Sequence, residues 1–95
     1  MTVKVIIRRK VPKDSIADVY PLLISLREYA MRQKGFISGE TLRNIDDPEE
    51  IVVIGTWQSA EDWKAWEANP KRKELQESIN TLLNKKVEYG VYSYS

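Results

Sequence analysis

The chain has 95 residues, of which 42% are hydrophobic and 31% are charged, and its formal net charge is +1 at pH 7. This length suits one domain with a single core, which we assign to residues 1–95. The nearly neutral charge argues against nucleic acid as a partner, and no apolar stretch is long enough to predict a membrane span or a signal peptide. We therefore expect a cytoplasmic globular protein without nucleic-acid or membrane partners.

Cysteine and histidine are both absent from the chain. Without them there is no disulfide, no thiolate nucleophile, no thiolate-ligated zinc site, and no imidazole to act as a general base or to ligate haem iron. The neighbouring acids Asp46, Asp47, Glu49 and Glu50 lack the alternating spacing of a calcium loop, so we assign them to a solvated turn and predict no metal. Any catalysis therefore depends on carboxylates, tyrosine, lysine, arginine, amides or the reactivity of the substrate.

The first part of the chain predicts a strand followed by a long helix. Residues 3–11 alternate between apolar and polar types from Val3 onward, as in a strand with one buried face. A helix then continues to about Gln33, where Gly35 supplies a left-handed cap, and Pro21 predicts a kink or a late start. The apolar side chains of this helix recur at spacings of three and four: Ile16, Val19, Leu22, Leu23, Leu26 and Ala30.

Two further strands are predicted in the middle of the chain. Residues 36–44 form the weaker one, in which Gly39 suggests a bulge. The stronger one covers residues 50–58, where Ile51 to Ile54 are apolar at four consecutive positions. An apolar side chain at every position predicts a central strand that is covered on both faces.

A helix rich in tryptophan follows the central strand directly. Ser59 and Asp62 have the spacing of a helix N-terminal cap, which places the start of the helix near Ala60. Trp63 and Trp66 then lie on one side of it. Two roles remain open for Trp66, a place in the core or a place in the wall of a ligand pocket.

The last part of the chain predicts a further helical piece and a final strand. Asn69 and Pro70 interrupt the pattern and restart it, since Asn caps helices well and Pro is tolerated at the first helical position. The basic residues 71–73 are assigned to a solvated face. Residues 86–94 form a strand rich in tyrosine. The apolar stripe of the helical piece consists of Leu75, Ile79, Leu82 and Leu83.

This order of elements predicts an α+β domain of the ferredoxin-like type. Strand, helix, strand, strand, helix, strand gives a four-stranded antiparallel sheet with two helices on one face. Ile6, Tyr92 and Tyr94 add apolar area to the face that the helices leave open. Because large exposed apolar patches mark interaction sites, we predict a homodimer that packs sheet on sheet.

Several segments of the chain form one recognisable pattern: Gly-Phe at 35–36, Asp-Asp-Pro at 46–48, Gly-Thr-Trp-Gln-Ser at 55–59, the helix through Asn-Pro at 69–70, and the aromatic last strand. Together they resemble the antibiotic biosynthesis monooxygenase domain family, and the resemblance covers nearly the whole sequence. It implies a ferredoxin-like protomer that forms a dimeric α+β barrel, with a pocket between the helices and the sheet of each subunit. Members of the family include haem-degrading enzymes and oxygenases that act on aromatic polyketides and quinols without metal or flavin.

The haem-degrading members of that family combine an Asn on the first strand, a Trp on the second helix and an iron-ligating His ten residues after the Trp. Here Trp66 occupies the Trp position, but Gln76 stands in place of the His and Ile6 or Ile7 in place of the Asn. Glutamine is no replacement for imidazole on haem iron. We therefore expect neither haem nor any other cofactor.

The resemblance then implies a cofactor-independent monooxygenase that acts on a small aromatic quinol or polyphenol, whose own anion reduces oxygen. Trp66 is its aromatic wall. Other residues are expected to face the same pocket. Gln76 and Asn80 could hydrogen-bond a substrate oxygen, and Tyr89 or Arg8 could favour the substrate anion. The alternative function is a non-catalytic dimeric protein of the same fold, either structural or binding a small molecule. The pocket candidates are Trp66, Gln76, Asn80, Tyr89, Arg8 and Ile7.

Overall fold

The computed structural model describes all residues from 1 to 95 and contains one antiparallel sheet of four strands, in the order β2-β3-β1-β4. This is the ferredoxin-like topology predicted from the sequence, with the second helical region divided in two. A short 3-10 turn, Lys13–Ser15, precedes α1. The elements are β1 (Val3–Lys10), α1 (Ile16–Met31), β2 (Phe36–Arg43), β3 (Glu50–Trp57), α2 (Ala60–Glu67), α3 (Pro70–Leu83) and β4 (Glu88–Ser93).

The strand register assigns each side chain of the sheet to one of two faces. Val5 of β1 lies opposite Gly55 of β3 and Val91 of β4, so these three residues share a face. The three helices pack on that face and form the core with it. The buried apolar residues of the core are Val3, Val5, Val11, Val19, Leu26, Ile51, Trp57, Trp63, Trp66, Leu75 and Ile79.

The opposite face of the sheet has no cover within one protomer. Ile6 lies opposite Ile54 on that face, and both side chains are only half-buried, as is Val52. Tyr92 of β4 remains 55% exposed. The central strand β3 is therefore apolar on both faces, as predicted, but the chain itself buries only one of them.

Local hydrogen bonds fix the starts of α2 and α3 where the sequence predicts them. The Ser59 hydroxyl accepts a hydrogen bond of 3.1 Å from the Asp62 backbone N–H at the start of α2. At the start of α3 the Asn69 side-chain oxygen accepts one of 2.8 Å from the Lys71 N–H, and Pro70 takes the first helical position. Asn69 thereby separates the two helices.

Gly35 forms the turn between α1 and β2 with a φ of 86°, the predicted left-handed conformation. A β-carbon at this position would lie 2.2 Å from the Asp62 carboxylate, and the Gly35 carbonyl accepts a hydrogen bond of 2.7 Å from the Gln58 N–H. These contacts hold the end of α1 against the start of α2. α1 is helical on both sides of Pro21, and no helix of the protein has the length and apolar character to cross a bilayer.

The predicted bulge at Gly39 is in a different place. The register of β2 against β3 shifts between Phe36 and Ser38, whereas Gly39 pairs regularly with Gly55. A β-carbon on Gly39 would lie 3.4 Å from the Phe36 ring, and one on Gly55 would lie 3.3 Å from the Trp57 ring nitrogen. The two glycines therefore make room for aromatic rings over the sheet.

Candidate active site

A cavity of about 430 Å³ lies between α1 and the helix-bearing face of the sheet. Its volume falls within the range of small-molecule sites, and most of its lining is apolar, as in such sites generally. Tyr20 and Ile24, which are exposed, mark its opening along α1. The apolar side chains of its wall include Val5, Ile7, Leu23, Leu26, Ile51 and Val53.

Tryptophan side chains form the buried end of the cavity. Trp57 packs edge-to-face against Phe36 at a centroid distance of 5.3 Å and against Trp63 at 5.9 Å. Trp66 is only 4% exposed and also lines the cavity. The two roles that the sequence left open for Trp66, core residue and pocket wall, are therefore combined in one side chain.

Arg9 is a buried cation in this apolar wall. Its side chain is 5% exposed, its Nη2 donates a hydrogen bond of 2.7 Å to the Gln76 side-chain oxygen, and its Nε has no acceptor. The Gln76 amide nitrogen in turn donates to Asn80 Oδ1 at 2.9 Å. Burial, reinforced by the charge of Arg72, lowers the pKa of Arg9 to about 10. Arg9 is thus held in place by amides, with no carboxylate to balance its charge.

Arg72 brings a second buried guanidinium to the cavity. Its central carbon lies 5.2 Å from the Trp63 ring centroid and 5.8 Å from that of Tyr89, which are cation–π distances. Burial lowers its pKa, and the nearby Tyr89 and Glu67 partly oppose that change. The Tyr89 hydroxyl donates to Glu67, and this hydrogen bond, with burial, raises the pKa of Tyr89.

The predicted solvated face of residues 71–73 is therefore wrong for Arg72. Lys73 is exposed, but Arg72 is 7% exposed because the register of α3 turns it to the same side as Leu75 and Ile79. The planar guanidinium stacks on Trp63, which allows it to be buried without a carboxylate partner.

Positive charge predominates in the lining of the cavity. The charged lining residues are Arg9, Arg27, Arg43, Arg72 and Glu40. Neither buried arginine takes part in an ion pair, since the two ion pairs of the chain join Lys10 to Asp47 and Lys71 to Glu74. No three acidic side chains come together in a cluster that would hold a metal ion. The cavity consequently has four arginines and one glutamate in its lining.

The predicted site residues fall into groups at different distances from the cavity. Trp66 and Ile7 line it directly. Gln76 is buried behind Arg9, and Asn80 lies behind Gln76, so both amides reach the cavity only through the guanidinium. The residue at the family's haem-ligating position, Gln76, therefore has its amide hydrogen-bonded to Arg9 and Asn80.

Two predicted residues do not line the cavity. Tyr89 packs against the far side of Trp63, with ring centroids 5.9 Å apart. Arg8 is exposed on the open face of the sheet, because neighbouring residues of a strand point to opposite sides. Arg9 takes the place that we expected for Arg8. The sequence feature that indicates the position of Arg9 is the alternation that begins at Val3, because it puts Arg9 on the buried face.

Solved structures with the same fold come from several organisms. A conserved protein from Methanosarcina mazei Go1 has a TM-score of 0.91 and 18% identity, covering 100% of this chain and 94% of that one. Rv0793 from Mycobacterium tuberculosis has a TM-score of 0.88 and 19% identity, with coverages of 100% and 96%. SnoaB, a cofactor-independent oxygenase from Streptomyces nogalater, has a TM-score of 0.81 and 20% identity, with coverages of 99% and 93%.

These identities establish a shared fold but not a shared activity. A search of curated proteins found no match. The family model described as antibiotic biosynthesis monooxygenase matches residues 2–78 of the chain. Because that match covers most of the sequence and agrees with the topology of the sheet, the protein belongs to the antibiotic biosynthesis monooxygenase family.

Proposed function

We propose that the protein is a monooxygenase that oxidises a small aromatic quinol or polyphenol without a metal or organic cofactor. The observation that carries this proposal is the apolar cavity of about 430 Å³ with Trp57 and Trp66 in its wall. The family of the protein supports an oxygenase function, and the protein shares its fold with SnoaB, a cofactor-independent oxygenase. An aromatic substrate matches an aromatic wall, since ring edges and faces attract one another.

The proposed reaction needs little from the protein beyond binding and exclusion of water. A hydroquinone monoanion passes one electron to O₂, the two radicals combine at a ring carbon as a hydroperoxide, and loss of water leaves a carbonyl there. One oxygen atom enters the hydroxyquinone product, the other leaves as water, and the substrate supplies all four electrons. The apolar walls formed by α1 and β3 keep bulk water from the intermediates.

Oxygen consumption tests this proposal. Purified protein, treated with chelator and free of flavin, is mixed with a panel of hydroquinones and polyphenols in an oxygen electrode. We expect uptake above the protein-free rate for at least one member, with one O₂ consumed per hydroxyquinone formed. If every substrate reacts at the protein-free rate while fluorescence shows that it binds, the protein is a binding protein and the oxygenase proposal fails.

Two substitutions at one position connect the activity to the cavity. Val53 is half-buried, and its side chain lies on the cavity side of β3. Val53→Trp fills the cavity and should abolish oxygen uptake, whereas Val53→Ala enlarges it and should retain uptake. Circular dichroism checks that both variants fold, and Ile24→Trp at the opening provides a second blocking variant. Uptake that survives both blocking variants would place the chemistry elsewhere.

We also propose that two copies pack through the open face of the sheet as a dimeric α+β barrel. Ile6, Val52 and Ile54 form a half-buried apolar centre on that face, and Leu42 and Tyr92 extend it toward both edge strands. Such a patch on an otherwise polar surface is typical of an interface. The cavity lies on the other face of the sheet, so each protomer has a complete cavity of its own.

A further inference from the structure

The cavity contains two buried positive charges that form no ion pair with an acidic side chain. Arg9 and Arg72 both line it and are 5% and 7% exposed, and neither takes part in an ion pair. Arginine is rarely buried without a charged partner, because removal of the guanidinium from water is costly. The partner that the chain does not supply is an anion in the cavity.

We propose that the cavity selects an aromatic ligand that carries a carboxylate, with the carboxylate bound by Arg9 and Arg72 and the ring held against Trp66. This rests on the proposed function in so far as the cavity is taken as the substrate site, and it narrows the substrate to an aromatic acid. A carboxylate has two acceptor oxygens that match the planar fork of a guanidinium.

Arg9 is held firmly enough to act as a fixed anchor. Gln76 accepts from its Nη2 at 2.7 Å, and Asn80 accepts from Gln76 at 2.9 Å, so the guanidinium is held from behind by the Gln76 amide, which Asn80 holds in turn. Both amides lack charge and leave the positive charge of Arg9 intact. A preorganised cation of this kind binds an anion without reorganisation of the side chain.

Arg72 approaches from another element and is held differently. Its guanidinium makes cation–π contacts with Trp63 and Tyr89. Glu67 bonds the Tyr89 hydroxyl and forms no ion pair with Arg72, although its charge partly offsets the effect of burial on Arg72. Burial lowers the pKa values of both arginines, and the charge of Arg72 adds to the lowering at Arg9, so the two charges act on one another. One anion between them relieves that repulsion.

The other charged residues of the cavity lining also favour a negatively charged ligand. Arg27 and Arg43 line the cavity, are exposed and attract an approaching anion. Glu40, the one acidic residue of the lining, is exposed and lies opposite Ile54, so its side chain belongs to the open face of the sheet. A neutral aromatic ligand would fill the apolar space but leave the two guanidiniums without an anionic partner and Arg9 Nε without an acceptor. The charge pattern therefore separates acids from neutral analogues of the same shape.

A matched pair of probes tests the proposal by binding alone. 2-Naphthoate and 2-naphthamide have nearly the same shape and differ in charge, and neither is a hydroquinone. All three tryptophans of the chain line the cavity, so quenching of their fluorescence reports binding. We expect the wild type to bind the acid about tenfold to a hundredfold more tightly than the amide, the range that corresponds to a hydrogen bond with a charged group.

Substitutions show which residues cause the preference. Arg9→Met and Arg72→Met should each weaken binding of the acid about tenfold or more while binding of the amide changes less than about threefold. Arg9→Lys should retain part of the preference because it keeps the charge but not the fork. Arg32→Met is the matched control, since Arg32 is exposed and lies outside the cavity, and it should change neither affinity.

The outcomes separate this inference from the oxygenase proposal. Equal binding of acid and amide by the wild type, no binding of either probe at millimolar concentration, or a preference that survives both Met variants overturns it. If the acid is preferred through Arg9 but no hydroquinone consumes oxygen, the inference stands and the oxygenase proposal fails. If hydroquinones are oxidised with no preference for acids, the inference fails alone.

Discussion

Removal of the charge of Arg9 should make the ligand-free protein more stable. The fall in the pKa of Arg9 from 12.5 to about 10 means that the folded protein disfavours the charged side chain by about 3 kcal/mol. Methionine has a similar length and no charge, so Arg9→Met removes this penalty. The same substitution leaves the Gln76 oxygen without its donor, which costs about 1–3 kcal/mol. The expected net gain is about 1 kcal/mol.

A second substitution separates the penalty for the buried charge from the cost of the unpaired Gln76 oxygen. Arg9→Met combined with Gln76→Leu removes the unsatisfied oxygen as well, and Asn80, which is half-buried, regains access to water. The double variant should therefore be more stable than Arg9→Met alone and approach a gain of about 3 kcal/mol over the wild type. For a domain of this size each kilocalorie raises Tm by about 4–8 °C.

Urea and thermal unfolding at a fixed protein concentration measure these differences without any ligand. Arg32→Met is the control, because Arg32 is exposed and its only side-chain contact of note is a surface cation–π contact with Tyr29, whose loss should lower the free energy of unfolding by no more than about 0.5–1 kcal/mol. The reasoning is refuted if Arg9→Met lowers the free energy of unfolding by more than about 1 kcal/mol and the additional Gln76→Leu does not restore it. That result would mean that the guanidinium is well satisfied in the folded protein.

Other predictions follow from the same contacts. Ile54→Glu places a charge in the open face and should yield a monomer in sedimentation velocity, whereas a wild type that sediments as a monomer at micromolar concentration would contradict the dimer. Gly35→Ala should lower the free energy of unfolding by at least about 1 kcal/mol in urea melts, because its φ is 86° and its β-carbon would meet Asp62. An unchanged midpoint would show that the turn adapts. The pKa of Tyr89 is raised in the folded state, chiefly by the hydrogen bond to Glu67, so its contribution to stability is full below the unfolded value of about 10 and is lost as pH rises through the folded pKa. Tyr89→Phe should therefore lose less stability between pH 9 and pH 11 than the wild type, and equal losses would exclude this linkage.

Local sequence patterns were sufficient to predict the topology. Strand alternation, helical spacing and short-range caps each act within a few residues, so Ser59 and Asn69 could be assigned as caps before any tertiary contact was known. Glycine is harder to interpret, because it provides a bulge, a turn or space for a neighbour. Gly39 illustrates this, since it makes room for the Phe36 ring and does not form the bulge.

Buried arginines were the part of the site that hydrophobic patterning missed. Arg9 follows Val5 and Ile7 on the same strand face, and Arg72 shares a helix side with Ile79, so both positions had an apolar neighbour pattern. Long basic side chains are usually exposed, and that expectation outweighed the periodicity. What the sequence cannot provide is the stacking on tryptophan and the amide contacts that make burial of each guanidinium tolerable.

Strand β1 contributes to both the proposed dimer interface and the cavity. Ile6 faces the proposed dimer partner, while Ile7 and Arg9 face the cavity, so neighbouring residues serve different surfaces. Substitutions at alternate positions of one strand can therefore change assembly and ligand binding separately. An alanine at Trp66 cannot make this separation, because the side chain is both core and cavity wall and its loss costs about 3–5 kcal/mol of stability as well as binding. Arg9 is the more informative position, since its removal should weaken binding of the acid while it strengthens the fold. An opposite effect on binding and on stability is expected where a protein keeps an unfavourable buried charge for the sake of a ligand.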